Sequence, residues 1–290
     1  MKRSGLIIAL ALSTLLLMAP PAGALREHQH RPRATPLVSP GAIPVRTLQL
    51  NMQALLGGAD PQSRKSAVDY VGWIMATGEP IAVSLNEVCP EQVADLRERF
   101  SGTYHGAYRR SFVGSRSTDE GCNRDGSTAE YGNAIFMRFA VLDVTRHLYT
   151  STDSGSTRNI ICMKTAAFLL TYTACSTHLS VPPPSSQRTE MHYTMLAAAS
   201  SSTSSFNLGD LNTTRGTLLA IYLDSFKEAD LAFCEDPPKY CKRPTGDMGG
   251  AVDYIFGSPN TIASPTAWIA PDDLQFTDHR PVVGYYTILY

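Results

Sequence analysis

Polar side chains close several of the apolar runs in this sequence. Asn51 ends residues 45–51, Glu87 follows the run 81–85, His178 follows 167–176, Asp210 and Asn212 close 206–212, and Asp278-His279 stands just before 281–289. A carboxyl or imidazole group at the edge of a core has to be paired, hydrogen-bonded or metal-bound. The densest of these stretches is Phe206-Asn207-Leu208-Gly209-Asp210-Leu211-Asn212. On a strand, positions two apart share a face, so Asp210 and Asn212 would project together. A carboxylate and a carboxamide placed in that way can align a water and hold an anionic oxygen. Asp-Leu-Asn is also the composition of a turn that merely ends a strand. Company separates the two readings, because strand ends along one edge of a sheet are where open α/β proteins place their sites.

The elements that must carry these residues are legible from periodicity. Residues 45–51 alternate, Val45, Thr47 and Gln49 against Arg46, Leu48 and Leu50, as a strand does. The spacing of Ala67, Val68, Val71, Ile74 and Met75 predicts a helix over 63–76, stopped by Gly78 and Pro80. The short apolar run 81–85 reads as a strand buried on both faces, and 90–100 as a helix with Val93, Leu96 and Phe100 on one side. Further strands are expected over 104–113, 131–139, 159–165, 167–176, 206–212, 251–256 and 281–289, and helices over 186–199 and 218–226. Strands and helices interspersed without a repeat suggest a layered domain of both. Residues 25–42 carry Arg, His and Pro without apolar periodicity and read as a mobile arm, His28 and His30 included.

Residues 1–24 have the form of a secretory signal: Lys2 and Arg3, an apolar run over 6–18, and Ala22-Gly23-Ala24 as a small-residue cleavage site. The run is short for a membrane span. A secreted protein, extracellular or periplasmic after cleavage near Ala24, is therefore expected, with residues 43–290 as one catalytic domain, no stable membrane association, and a monomeric state. The net formal charge of −1 argues against a broad surface that coats nucleic acid, while permitting a local basic cleft. Six cysteines suit an oxidising compartment. They allow fifteen pairings. Proximity favours Cys234 with Cys241 and Cys162 with Cys175, leaving Cys89 with Cys122; no C-x₂-C spacing suggests zinc instead.

Taken in order, Asn51, Ser84-Leu85-Asn86-Glu87-Val88, Tyr131-Gly132-Asn133-Ala134-Ile135-Phe136, Thr177-His178-Leu179, Gly209-Asp210-Leu211-Asn212, Val252-Asp253-Tyr254-Ile255-Phe256 and Thr277-Asp278-His279-Arg280-Pro281-Val282 resemble the endonuclease/exonuclease/phosphatase superfamily, the deoxyribonuclease-I-like fold. The likeness runs from about residue 45 to the end. It implies a four-layer α/β sandwich, two mixed β-sheets packed face to face with helices on the outer faces, and cleavage of phosphoesters with a divalent metal. Mg²⁺ is the cofactor implied, with Mn²⁺ or Ca²⁺ as alternatives. On this resemblance Glu87, Asn51 and Asp278 serve the metal, and Asp210 aligns or deprotonates the attacking water. Asn212 steadies the phosphoryl oxygens, His279 contacts the scissile phosphate with Asp253 orienting its ring, and His178 stands on the opposite side. Asn133 and Arg215 are weaker candidates for phosphate contact.

The chemistry is coherent without the family. In-line displacement at a phosphodiester gathers negative charge on oxygens, and a metal with hydrogen-bond donors aimed there stabilises it. Nucleic acid is the expected substrate. The rival activities are a phospholipase-C-like or phosphatase hydrolase of lipid or sugar phosphates, for which Trp268-Ile269 in a supposed loop is the faint support, and a catalytically silent binding module on the same scaffold. Asn212-Thr213-Thr214 is in addition an N-x-T sequon inside the proposed site.

Overall fold

Two strand–helix–strand units set the architecture. β1 (Ala42–Asn51), α1 (Pro61–Gly78) and β2 (Ala82–Val88) form the first; β7 (Leu170–His178), α3 (Ser185–Ser200) and β8 (Ser204–Asp210) form the second. In each the two strands run parallel, Asn51 opposite Asn86 and His178 opposite Asp210. Parallel neighbours need a crossover, and the intervening helix supplies it. The remaining strands join antiparallel: β3 (His105–Phe112), β4 (Glu130–Met137), β5 (Val141–Leu148), β6 (Asn159–Ala167), β9 (Lys227–Glu228), β10 (Asp253–Gly257), β11 (Ile262–Ile269) and β12 (Val282–Leu289). The result is two mixed six-stranded sheets, ordered β11-β12-β1-β2-β4-β3 and β5-β6-β7-β8-β10-β9. The computed structural model describes residues 41–52, 61–112, 122, 130–150, 157–167, 169–214, 217–218, 225–229, 245, 252–259, 262–270 and 277–289.

Alternation along the strands builds the layers. Val45, Ile135, Met137, Ile161, Met163, Phe206, Leu208 and Ile255 meet between the sheets. On the opposite face of the first sheet, Leu48, Leu50, Val83 and Leu85 pack against Val68, Val71 and Met75 of α1 and against Val93 and Leu96 of α2 (Pro90–Arg99). Each such buried side chain contributes about 1.5–3 kcal/mol. The second sheet covers its outer face with Met191 and Met195 of α3 over Cys162, Cys175 and Phe256. Helices, sheet, sheet and helix are the four layers expected.

The layer between the sheets changes character toward the carboxyl ends of the parallel strands. Every second residue of β1 reads Val45, Thr47, Gln49, Asn51; of β7, Tyr172, Ala174, Ser176, His178; of β8, Phe206, Leu208, Asp210. One end of the sandwich is therefore oily and the other is a buried polar cluster.

Several boundaries differ from the sequence reading. Ala42 already belongs to β1 rather than to the arm. β8 stops at Asp210, so Asn212 is not a strand residue. β5 and β11 were not expected at all. β5 is an edge strand with five exposed residues and no alternation. β11 contains Pro265, which a ladder tolerates only at an edge or bulge, and the register shifts between Ala263 and Thr266. Trp268-Ile269 accordingly lies in a strand, not a loop. Cys89–Cys122 and Cys162–Cys175 form disulfides. The leader, the arm up to residue 40, Cys234, Cys241, Arg215 and most of the helix expected over 218–226 lie outside the described residues.

Candidate active site

Two strained backbone positions bring the site together. β2 is paired with β4 up to Leu85 and again at Val88, with a bulge between, and within it Glu87 takes a φ of 48°. On an unbroken strand Glu87 would face the helices, opposite to Asn86. The bulge re-aims it so that Oε1 lies 3.8 Å from His178 Nε2 of the other sheet. A left-handed non-glycine residue costs about 1–2 kcal/mol, a cost that clusters at functional sites. Asn212, at φ 47°, is the second such position. Its backbone N–H donates to Asp210 Oδ1 at 3.0 Å, and its Nδ2 donates to Leu179 O at 2.9 Å. Asn tolerates this conformation, which returns the amide to the site after the strand has ended. The same engagement occupies the sequon nitrogen in the folded protein. Close approach also fixes two glycines: a Cβ on Gly209 would sit 2.1 Å from Thr177 O, and one on Gly132 2.1 Å from Arg109 O.

Asp210 is the centre. Its Oδ2 accepts from Asn51 Nδ2 at 2.9 Å and lies 3.5 Å from His178 Nε2 and 3.7 Å from His279 Nε2. Asp253 stands directly opposite Asp210 in the β8–β10 pairing. Asp253 Oδ2 accepts from His279 Nδ1 at 2.7 Å, and its Oδ1 accepts from Gln49 Nε2 at 3.2 Å. Thr277 Oγ1 donates to Asn51 O at 2.8 Å and accepts from His279 N at 3.1 Å, fastening the 277–279 segment to β1. Asp278 Oδ1 lies 3.6 Å from His279 Nε2. Asn51, Glu87, His178, Asp210, Asn212, Asp253, Asp278 and His279 thus gather at one end of the sandwich. Asn133 does not join them. It is buried between the sheets, where Nδ2 donates to Asn159 O at 3.1 Å and Oδ1 accepts from Asn86 at 2.9 Å.

The electrostatics set the two histidines apart. Burial pulls His279 down, but the carboxylates of Asp253, Asp210 and Asp278 outweigh it and hold the imidazolium to about 10. His178 goes well below 6.5, through burial first and then the positive charges of Arg158 and His279. Donors face both of its ring nitrogens: Arg158 Nη1 is 3.0 Å from Nδ1 and Asn212 Nδ2 is 2.9 Å from Nε2. A neutral imidazole can accept at only one of them, so the two donors compete for a single lone pair. Burial and the neighbouring Asp253 raise Asp210. Glu87 is also raised, by burial, against the pull of His279, Arg158 and the Asn51 amide.

Glu87, Asn51 and Asp278 carry hard oxygen donors, the kind that suits Mg²⁺. Burial raises both Glu87 and Asp210, a cost that a nearby divalent cation would relieve, so the donors here fit such an ion. Ligand atoms of Asp210, Asp253 and His279 also lie within 4.8 Å of one another. That trio is less suited to Mg²⁺, because His279 Nδ1 is already committed to Asp253 and the ring is held charged.

Sequence reasoning overlooked Arg158, buried beside His178, and the amides beneath the site. Asn86 Oδ1 accepts from Gln49 Nε2 at 2.7 Å and from Asp210 N at 2.8 Å. The available signal was the run of polar residues Gln49, Ser84, Asn86 and Ser176 on otherwise apolar strands.

A mixed double-sheet sandwich with a buried cluster of carboxylates, amides and histidines at the parallel strand ends defines a metal-dependent phosphoester hydrolase. The chain belongs to the Endonuclease/Exonuclease/phosphatase family, whose profile matches residues 48–279. No curated protein matches it. Among solved structures it is similar to the human Nocturnin catalytic domain with bound sulfate anion (18% identity, 84% of this chain and 93% of that one, TM-score 0.65). It is also similar to an endonuclease/exonuclease/phosphatase from Bacteroides vulgatus (19% identity, 85% and 99% covered, TM-score 0.59). D. rerio TDP2 complexed with single strand DNA product shares the fold at 12% identity, 84% and 98% covered, TM-score 0.63.

Proposed function

We propose that this chain is an exported phosphodiesterase that hydrolyses nucleic acid with Mg²⁺. The observation that carries the reading is the placement of the Asp210 carboxylate between the charged His279 ring and the Asn51 and Asn212 amides. A cation held by Glu87, with Asn51 and Asp278, would neutralise a phosphoryl oxygen and the leaving oxygen. Asp210 aligns the attacking water and takes its proton. His279, kept charged by Asp253, donates to the charge that develops on the phosphoryl group, and Asn212 steadies a further oxygen. His178 faces this group as a neutral ring.

Nucleic acid is favoured over lipid on two grounds. A relative of the same fold is known with a single strand DNA product. Of the two residues suggesting lipid contact, Ile269 is buried and the exposed Trp268 pairs with Val283, which packs on the helix-covered face of its sheet and away from the polar cluster. Among the described residues no helix is long and apolar enough to cross a membrane. Two disulfides suit an extracellular or periplasmic protein, and cleavage of the leader near Ala24 would deliver it there as a monomer. Purified protein should cut plasmid DNA or RNA with Mg²⁺ and stop in chelator. Inactivity on both across Mg²⁺, Mn²⁺ and Ca²⁺, with turnover of sphingomyelin or a phosphoinositide instead, would overturn the nuclease assignment.

A further inference from the structure

The segment 86–89 is clamped on both sides of the strained Glu87. On the amino side, Asn86 is tied through its side chain to Gln49, Asp210 N and Asn133. On the carboxyl side, Val88 rejoins the ladder opposite Gly132, and the next residue is the fully buried Cys89. Cys89 also begins α2. Its N–H donates to Gln92 Oε1 at 2.9 Å, and its sulfur is bonded to Cys122. That partner is anchored in turn: Cys122 O accepts from Arg64 Nη1 at 3.2 Å, while Gln92 Nε2 donates to Arg64 O at 3.3 Å. Tyr131 packs against both cysteines. A residue at positive φ relaxes unless its surroundings over-determine it.

We propose that the Cys89–Cys122 disulfide is a positioning device for Glu87 that sets the affinity of the site for its divalent cation. The inference rests on the reading of Glu87 as a cation-holding residue. The second disulfide is its internal control. Cys162 and Cys175 are direct partners across the β6–β7 hairpin, and they pack beneath α3 on the face of the sheet turned away from the site. The two bridges separate their cysteines by 33 and 13 residues. Chain entropy grows only with the logarithm of loop length, so removing either should lower stability to a similar degree. Only the first should reach the cation.

The test compares Cys89→Ala/Cys122→Ala, Cys162→Ala/Cys175→Ala and Glu87→Gln with the native protein. Mg²⁺ and Mn²⁺ binding is measured by calorimetry and by the rise in melting temperature on adding the ion. Loss of the first disulfide should weaken binding about tenfold or more, as expected when a support of a metal ligand is lost, and loss of the second should leave it unchanged. Equal weakening in both, or none in the first, overturns the proposal. Glu87→Gln distinguishes the two layers: binding intact in that variant refutes Glu87 as a ligand, whereas weakened binding there with an unaffected disulfide variant refutes only the positioning role. Should Cys89→Ala/Cys122→Ala fail to fold, Arg64→Ala with Gln92→Ala loosens the same anchor with the disulfide kept. Unchanged cation affinity in that variant would equally overturn the proposal.

Discussion

Asp253→Asn keeps the shape of the side chain that faces His279 and removes its charge. In the native protein the 2.7 Å contact, helped by Asp210 and Asp278, holds the imidazolium to about 10 against burial that works the other way. With Asp253 neutral, burial remains and the largest supporting charge is gone, so the ring should titrate closer to its ordinary value of about 6.5. A group of pKa about 6.5 is protonated in only roughly 3% of molecules at pH 8, so protonation alone would cost up to about 30-fold there and about twofold at pH 6.5. Asp210 and Asp278 still face the ring and work against the burial that remains. Burial first, and then the Asp253 charge, raise Asp210 to about 7, so removing that charge moves the acid limb down as well. Both limbs of the profile should therefore shift to lower pH, as apparent constants of a coupled group. The assay is kcat/KM on a fluorogenic oligonucleotide at saturating Mg²⁺ from pH 5.5 to 9.5. A loss of the same size at every pH would refute the reasoning, and would mean that Asp253 orients the ring without keeping it charged.

Asp210→Asn should lower turnover by about 10²–10⁴-fold, the usual worth of a general base. Its stability follows from the sign of the shift: the carboxyl is raised from 3.8 to about 7, so its contribution is fully present below 3.8 and is lost as pH rises through about 7. Thermal melts without metal should show the variant at least as stable as the native protein at pH 8, relative to the difference at pH 4. Removing Cys162–Cys175 should cost about 3 kcal/mol and removing Cys89–Cys122 about 4 kcal/mol in urea unfolding, from the loops they close. Gly209→Ala places a methyl 2.1 Å from Thr177 O in the β7–β8 pairing, and should lower the melting temperature and activity together. A variant with native melting would show that the two strands can separate there without loss.

The polar ends of apolar runs were legible because alternation and burial leave a direct mark on composition: Asn51, His178 and Asp210 each terminate a strand in the structure. The helices α1 and α2 were likewise readable from their apolar spacing and from the Gly and Pro residues near their ends. β5 escaped because an edge strand exposes residues on both faces, and β11 because Pro265 is acceptable only in a bulge whose existence depends on β12. Asn212 was assigned to the right neighbourhood for an incomplete reason. It does not share a strand face with Asp210; a left-handed turn brings its amide back.

By itself the sequence determined which residues would be costly to bury, and their order along the chain pointed to a layered fold whose strand ends carry carboxylates, amides and histidines. Those are local properties of each segment. Tertiary structure alone decided how the groups act on one another. Asp210 meets Asp253 only because β8 and β10 pair in that register, Glu87 reaches His178 only because a bulge turns it across the sheets, and Arg158 helps keep His178 neutral only because it is packed against the ring. Charge states and distances between residues on separate elements are set by packing, and no single stretch of chain contains them.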